Sequence, residues 1–299
     1  MKVFVTGASG FVGRNLLNYL ISNNFYVIPH VRSEEKLPKW EGHKVVLDLR
    51  PDTQWRQHLK GVDSVVHLAS IVHDKGAAKE DFDEVNFRSS INLARCAIES
   101  GVKRLVYVSS VAVYGKFKGS ELNEDSKTEP CTYYGKSKLA TEIELRKIAE
   151  AGGLELVILR PVMVYGLGAL GAFGTALSYL KYFQFTPFGL VENKRSFVSI
   201  QKLCGTIGHC LISDSVAGET FCVTDSTPIS TKQLFTLAGS FLGKKVIHIP
   251  FPVSVMSSTL LLFGRIDVSE QLFSNFLVSD KKLQKEIKNS STHIELNIE

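Results

Sequence analysis

Six short runs of β-branched and apolar residues, several separated by segments with helical apolar spacing, constrain this 299-residue chain more than anything else in it. They are 2–6 (KVFVT), 25–31 (FYVIPHV), 44–49 (KVVLDL), 64–68 (SVVHL), 104–109 (RLVYVS) and 154–159 (LELVIL). Helical patterns occupy 11–22, 81–100 and 134–151. Strands that read as continuous apolar runs are buried on both faces, and parallel neighbours need crossover helices. The spacing therefore predicts an α/β fold with a doubly wound parallel sheet of Rossmann type. After Tyr165 the pattern changes to clustered glycines and aromatics. Segments 196–200 (SFVSI) and 220–224 (TFCVT) read as short strands that rejoin the sheet, and the chain from Pro228 onward is mostly helical. The expected organisation is a dinucleotide-binding domain over 1–165 and 196–225, with a smaller, discontinuous α/β substrate-binding domain over 166–195 and 226–299.

Gly7, Gly10 and Gly13 lie between the first strand and the first helix, where a dinucleotide pyrophosphate sits in an open α/β sheet. Glycine lets backbone approach phosphate, and the helix N-terminus supplies N–H donors and a positive dipole. The spacing is GxxGxxG rather than GxGxxG, and a plain turn is the alternative. With the glycines, Ser9, Phe11 and Val12 form the expected phosphate cradle. The second strand ends His30-Val31-Arg32, with Val31 where an NAD site carries an acid. Arg32 suits the 2′-phosphate of NADP, unless it is simply a solvated surface arginine. The cofactor expected is thus NADP or NAD, with NADP favoured. Asp48 and Leu49, at the end of the third run, are expected at the adenine.

Tyr134 and Lys138 stand four apart on a helical stretch and so share a face. A phenol that takes a proton from a carbinol while hydride leaves the carbon needs its pKa lowered by about 3 units from roughly 10. An ammonium ~4 Å away supplies about that at intermediate dielectric, and an oxidised nicotinamide adds more. Alone, a YxxxK spacing is mostly a solvated helix face. Ser109 and Ser110, however, close the fifth run at the C-terminal sheet edge, where ligands bind. Ser110 is the expected partner of the substrate oxygen, and Ser109 the expected cap of the next turn.

Taken in order, GxxGxxG, Ser109-Ser-Val-Ala-Val-Tyr-Gly115, Tyr134-Gly-Lys-Ser-Lys138 and Leu159-Arg-Pro-Val-Met-Val-Tyr-Gly166 resemble the extended short-chain dehydrogenase/reductases, specifically the nucleotide-sugar epimerases and reductases. The resemblance covers about residues 1 to 285. It implies that Ser110, Tyr134 and Lys138 are catalytic, that Asn86 helps order the site, and that Leu68 and Ala69 border the cofactor. Val111 and Ala112 replace the Asp-Glu pair of the 4,6-dehydratases and cannot move protons, which argues against a dehydratase. Met163 stands where many members carry an asparagine that touches the nucleotide, and Arg195 matches an arginine placed on the substrate pyrophosphate. A surface salt bridge is the alternative for Arg195. The implied activity is hydride transfer at C4 of a nucleotide-linked hexose, most simply a UDP-hexose, as a 4-epimerase or a 4-keto-sugar reductase. The rival is a dinucleotide-sensing regulator with an inactive site. The family's pairing of the helices after strands four and five implies a homodimer.

The remaining features narrow the classes. A net charge of +5 without a basic run gives no grip on nucleic acid. Cys96, Cys131, Cys204, Cys210 and Cys222 form no CxxC pair, which points to no zinc site, no metal and a reducing, cytoplasmic setting. The apolar stretch 253–263 is too short to span a bilayer, so no membrane partner is expected. Met1-Lys2 leads straight into a strand without a signal peptide. His73 and Asp74 are placed in a loop that can line the cleft. Asn289-Ser290-Ser291 is read as a chance sequon, and the last dozen residues as a polar tail.

Overall fold

In a computed structural model of the chain, residues 1–37, 39–72, 78–116 and 119–289 are described. His73, Asp74, the sequon serines and the end of the polar tail lie outside them. The strands in chain order are β1 (Lys2–Thr6), β2 (Tyr26–Val31), β3 (Val45–Val46), β4 (Ser64–His67), β5 (Arg104–Val108), β6 (Glu155–Pro161), β7 (Met163–Tyr165), β8 (Phe185–Thr186), β9 (Phe197–Ser199), β10 (Thr220–Val223) and β11 (Ile247–His248). Seven of them form one sheet in the order β10-β6-β5-β4-β1-β2-β3, and all its pairings are parallel.

Successive residues of each central strand face opposite sides of the sheet, and both sides are buried. Val3 and Val5 join one apolar cluster while Phe4 joins another; Val66 and Val106 face the first, Val65 and Leu105 the second. Both faces are therefore core, which is why the strands lack polar alternation. On the first face lie α1 (Phe11–Ser22) and the later helix Ile200–Ile212. The second face carries the short helix α2 (Arg56–Leu59), the run begun by α3 (Lys79–Asp81) and completed by α4 (Ser89–Glu99), and α5 (Tyr133–Gly152). Between α3 and α4 the backbone widens into a π-helical stretch, Phe82–Arg88.

Two sequence expectations are corrected. The run 44–49 keeps only Val45–Val46 as strand, and Leu49 is buried in the second cluster among Trp55 and Leu59. Segment 196–200 does not rejoin the large sheet: β9 pairs with β7 in a separate two-stranded sheet, whereas 220–223 does add to β6 as an edge strand. The reason is the chain's exit from β6. Past Pro161 it leaves the sheet, and β7 takes β9 with it, register Met163 to Phe197.

A third apolar cluster contains Phe173, Leu177, Leu180, Phe188, Val191, Phe197, Leu234 and Phe235. It joins α6 (Gly171–Tyr182) to the helix that follows α7 (Ile200–Ile212), namely α8 (Thr231–Phe241). Next come α9 (Val253–Leu262), α10 (Ile266–Phe273) and α11 (Lys281–Asn289).

Candidate active site

The turn after β1 is built for close approach. Gly7 has φ +71, and a Cβ there would stand 2.7 Å from the Ala69 nitrogen, so only glycine lets the turn lie against the end of β4. Its carbonyl accepts from Gly10 N–H at 3.0 Å. Gly10 is the N-cap of α1 and brings no side chain to the first-turn donors. An anion is the natural partner for those donors and for the dipole behind them. Ser9, Phe11 and Val12 line this turn half-buried, and the Phe11 ring lies against Gly166 and Gly168. Leu68 and Ala69 are tied to the same turn: the Leu68 N–H donates to the Thr6 carbonyl and the Ala69 N–H to its hydroxyl, both at 3.3 Å. These residues fit a dinucleotide pyrophosphate.

The end of β2 lies beside this cradle, since Ala8 N–H donates to the His30 carbonyl at 3.2 Å. Arg32 follows it, exposed. Asp48 is also exposed and pairs with Arg50 at 3.3 Å; Leu49 points into the core rather than over the turn.

At the C-terminal end of β5, Ser110 caps the following turn, Val111–Tyr114, its Oγ accepting from the Ala112 N–H at 3.1 Å. The capping role expected of Ser109 thus falls to Ser110; Ser109 instead donates to the carboxylate of Glu142. α5 is capped by Thr132, whose Oγ1 accepts from the Gly135 N–H at 3.0 Å. A Cβ at Gly135 would come within 2.5 Å of the Ala112 carbonyl oxygen. Glycine here lets the first turn of α5 press against the Ser110 turn, which brings the Tyr134 phenol under the influence of the Ser110 hydroxyl.

Lys138, one helical turn on, is 2% exposed. Its Nζ donates to the Val108 carbonyl at 2.9 Å and lies 4.7 Å from the centre of the Tyr107 ring and 5.9 Å from that of Tyr134. Burial pulls the Lys138 ammonium down to about 7, opposed by the charge of Glu142. Burial also pushes the Tyr134 phenol up to about 12, against which the Ser110 hydrogen bond works. Burial dominates both groups, and Lys138 is not among the causes that shift the phenol.

Asn86 sits in the π-helical stretch, 1% exposed. Its Oδ1 accepts from Ile71 N–H at 2.7 Å, while its Nδ2 donates to the Ile71 carbonyl at 2.9 Å and the Ser137 hydroxyl at 3.1 Å. It clamps the segment leaving β4 onto the helix that carries Tyr134 and Lys138. Met163 and Arg195 are held otherwise. Met163 packs on the third apolar cluster. Arg195 Nη1 donates to the carbonyls of Glu270 and Ser274 at 3.2 and 2.9 Å, with its guanidinium over the Phe276 ring.

Sequence reasoning missed a buried polar chain behind the site. Glu142 binds Arg160 (Nη2 to Oε2 2.6 Å), Arg160 donates to the Tyr114 hydroxyl at 2.8 Å, and Ser109 closes the other end. The signal was available: Glu142 continues the series Tyr134, Lys138 by one more helical turn. Thr141 was missed too; it bonds the carbonyls of Asn86 and Ser137 at 3.0 and 2.8 Å.

A glycine turn whose helix N-terminus is open to an anion, a buried lysine, and a serine and a tyrosine at one sheet edge are the arrangement of a dinucleotide-dependent enzyme of the short-chain dehydrogenase type. The chain belongs to the NAD dependent epimerase/dehydratase family, whose pattern it matches over residues 3–203. It is 32% identical over 282 residues to a UDP-glucose 4-epimerase of Vibrio cholerae, covering 91% of this chain and 85% of that one. An N-acetyl-α-D-glucosaminyl-diphospho-ditrans,octacis-undecaprenol 4-epimerase of Escherichia coli O157:H7 is 28% identical over 85% of this chain and 77% of its own. The fold is shared with the UDP-glucuronic acid 4-epimerase of Bacillus cereus, solved with UDP-glucuronic acid and NAD: TM-score 0.76 at 20% identity, covering 98% of this chain and 95% of that one.

Proposed function

We propose that the protein is a nucleotide-sugar 4-epimerase acting on a UDP-hexose, with Tyr134 as the group that exchanges a proton with the sugar O4. The observation that carries this is the close approach of the first turn of α5 to the Ser110 turn at Gly135 and Ala112, with buried Lys138 5.9 Å from the centre of the Tyr134 ring. The bound dinucleotide supplies the hydride acceptor and donor at C4 and, when oxidised, a positive charge near the phenol. Tyr134 at rest holds its proton and is ready as an acid. To act as a base it has to give up that proton against the burial that raises its pKa. Ser110, fixed by its turn, holds O4 through the same hydroxyl. Lys138 orients the ribose on the nicotinamide side and keeps water from the phenol by filling the space over Tyr107. Asn86 keeps the α5 helix at its distance from the β4 edge.

NAD is the resident cofactor in this reading, as in the UDP-glucuronic acid 4-epimerase of Bacillus cereus solved with NAD. Arg32, with no acid at Val31, makes NADP a competitor and favours the second reading, a 4-keto-sugar reductase that consumes NADPH. The elements sharing the third apolar cluster, within 166–195 and 226–289, form the substrate-binding lobe, and Arg195 braces α10 within it. A homodimer through α4 and α5 and a cytoplasmic location complete the proposal. The test is to purify the protein, release its dinucleotide by heat and supply UDP-glucose or UDP-galactose without added cofactor. Co-purified NAD and interconversion of the two sugars are expected. A strict requirement for NADPH turns the reading to the reductase, and full activity in Tyr134→Phe removes Tyr134 from the chemistry.

A further inference from the structure

We propose that the substrate lobe docks on an anionic membrane surface through the face formed by the end of α6, the β8–β11 ribbon and α9. The inference rests on the surface alone and not on the reaction. β8 and β11 pair Phe185 with Ile247 in parallel register, so both side chains stand on one face of the ribbon, and Ile249 follows on the same side. These are 54%, 46% and 49% exposed. Thr186 and His248 occupy the opposite face, joined by a hydrogen bond of 2.6 Å. The chain then enters α9 (sequence VSVMSSTLLL), which has no fully buried residue: Val253 and Met256 rest half-buried on the third apolar cluster, while Val255, Leu261 and Leu262 are exposed beside Ser254, Ser258 and Thr259. Its end and the turn after it expose Leu262 and Phe263. An ordinary surface helix buries a stripe and shows a polar face. This one only half-buries its stripe and carries exposed apolar residues on its outer side, and Tyr182 and Phe183 at the end of α6 are exposed as well.

Charge says what the face fits. No Asp or Glu occurs between Glu155 and Glu192, nor between Asp225 and Asp267. The rim therefore carries only cations over those stretches. Lys181 and Lys245 are exposed, and Arg265 lies just past Phe263 with Asp267 at 3.9 Å. Lys244 ties the ribbon to α6 by donating to the Leu180 and Lys181 carbonyls. Apolar and aromatic residues ringed by lysine and arginine match the boundary between acyl chains and anionic headgroups. A second copy of the chain fits less well, because self-docking through this face brings the same cations together. The length argument against a membrane span stands, since among the described residues no helix is long and apolar enough to cross a bilayer. It does not bear on a helix lying in the plane of the headgroups.

The full-length protein should float with vesicles containing about one-third phosphatidylglycerol at low salt, and less so with pure phosphatidylcholine or as salt shortens the screening length. The double variant Leu262→Glu/Phe263→Glu should lower the bound fraction about tenfold. Because both side chains are exposed, its melting temperature and its turnover of a soluble UDP-hexose should match the wild type, which separates this inference from the catalytic one. Phe263→Trp should be quenched by bromine-labelled lipid. The proposal fails if the wild type ignores anionic vesicles, if the double variant floats undiminished, or if the tryptophan stays unquenched. It fails equally if light scattering shows a dimer that the double variant splits while vesicles bind neither form.

Discussion

Glu142 and Arg160 are 1% and 6% exposed, and each is expensive to bury without the other. Their guanidinium–carboxylate contact is satisfied at its edges by Ser109 and Tyr114, so the network is closed. Glu142→Gln should destabilise the protein by about 3–5 kcal/mol in urea titrations, because it strands a buried cation. Arg160→Met combined with Glu142→Gln should recover part of that loss; equal or greater destabilisation of the double variant contradicts the pairing. The same scale shows what the sequence could and could not tell. Tyr134 and Lys138 were legible because four-residue spacing on a helix follows from geometry. Their protonation was not, because it depends on burial that spacing does not encode: the lysine is pulled down and the phenol pushed up. Arg195 shows the same limit, since matching a family position said nothing of the carbonyls that occupy it.

At the scale of elements, two glycines separate binding from chemistry. Gly7→Ala adds a Cβ against backbone at 2.7 Å in a φ +71 conformation, so the turn must move away from β4. Its expected effect is at least a tenfold loss of dinucleotide affinity by calorimetry, about 1.4 kcal/mol. Gly135→Ala presses the Cβ on the Ala112 carbonyl instead and drives α5 from the Ser110 turn. A displacement of about 1 Å at a catalytic pair costs on the order of 100-fold. That variant should therefore lose kcat about 100-fold while binding dinucleotide normally; the reverse pattern in either variant overturns the assignment. The glycine turn was readable from its place after the first strand, whereas Gly135 is conspicuous only once Ala112 is seen opposite it. The π-helical stretch at Asn86 was not readable either, because an inserted residue in a helix leaves the apolar period nearly intact. π-helical turns often mark functional positions, and here the widening points Asn86 at Ile71 and Ser137.

For the whole molecule, the parallel sheet was legible in its continuous apolar strands, and the departures came where two chain segments compete for one partner. SFVSI carries the pattern of a sheet strand, but β7 reaches it first, and the sheet edge goes to β10. No local pattern encodes that choice. The core also sets the acid limit. Burial holds His30 down at about 4 and His67 at about 3, the latter between the hydroxyls of Thr6 and Ser90. An unfolded histidine titrates near 6.5, so below that pH the unfolded chain takes up protons that the folded one refuses. Stability should thus be full above about pH 6.5 and fall progressively toward pH 4 and 3. Urea midpoints that stay flat from pH 7 to 5 contradict this.

The central claim is that one phenol and one retained dinucleotide return the hydride they remove to the same sugar carbon. UDP-galactose deuterated at C4, incubated in ordinary water without added cofactor, tests it directly. The account predicts UDP-glucose carrying the deuterium at C4, with Tyr134→Phe at least about 100-fold slower. Product with hydrogen at C4, or product that forms only when NADPH is supplied, contradicts it.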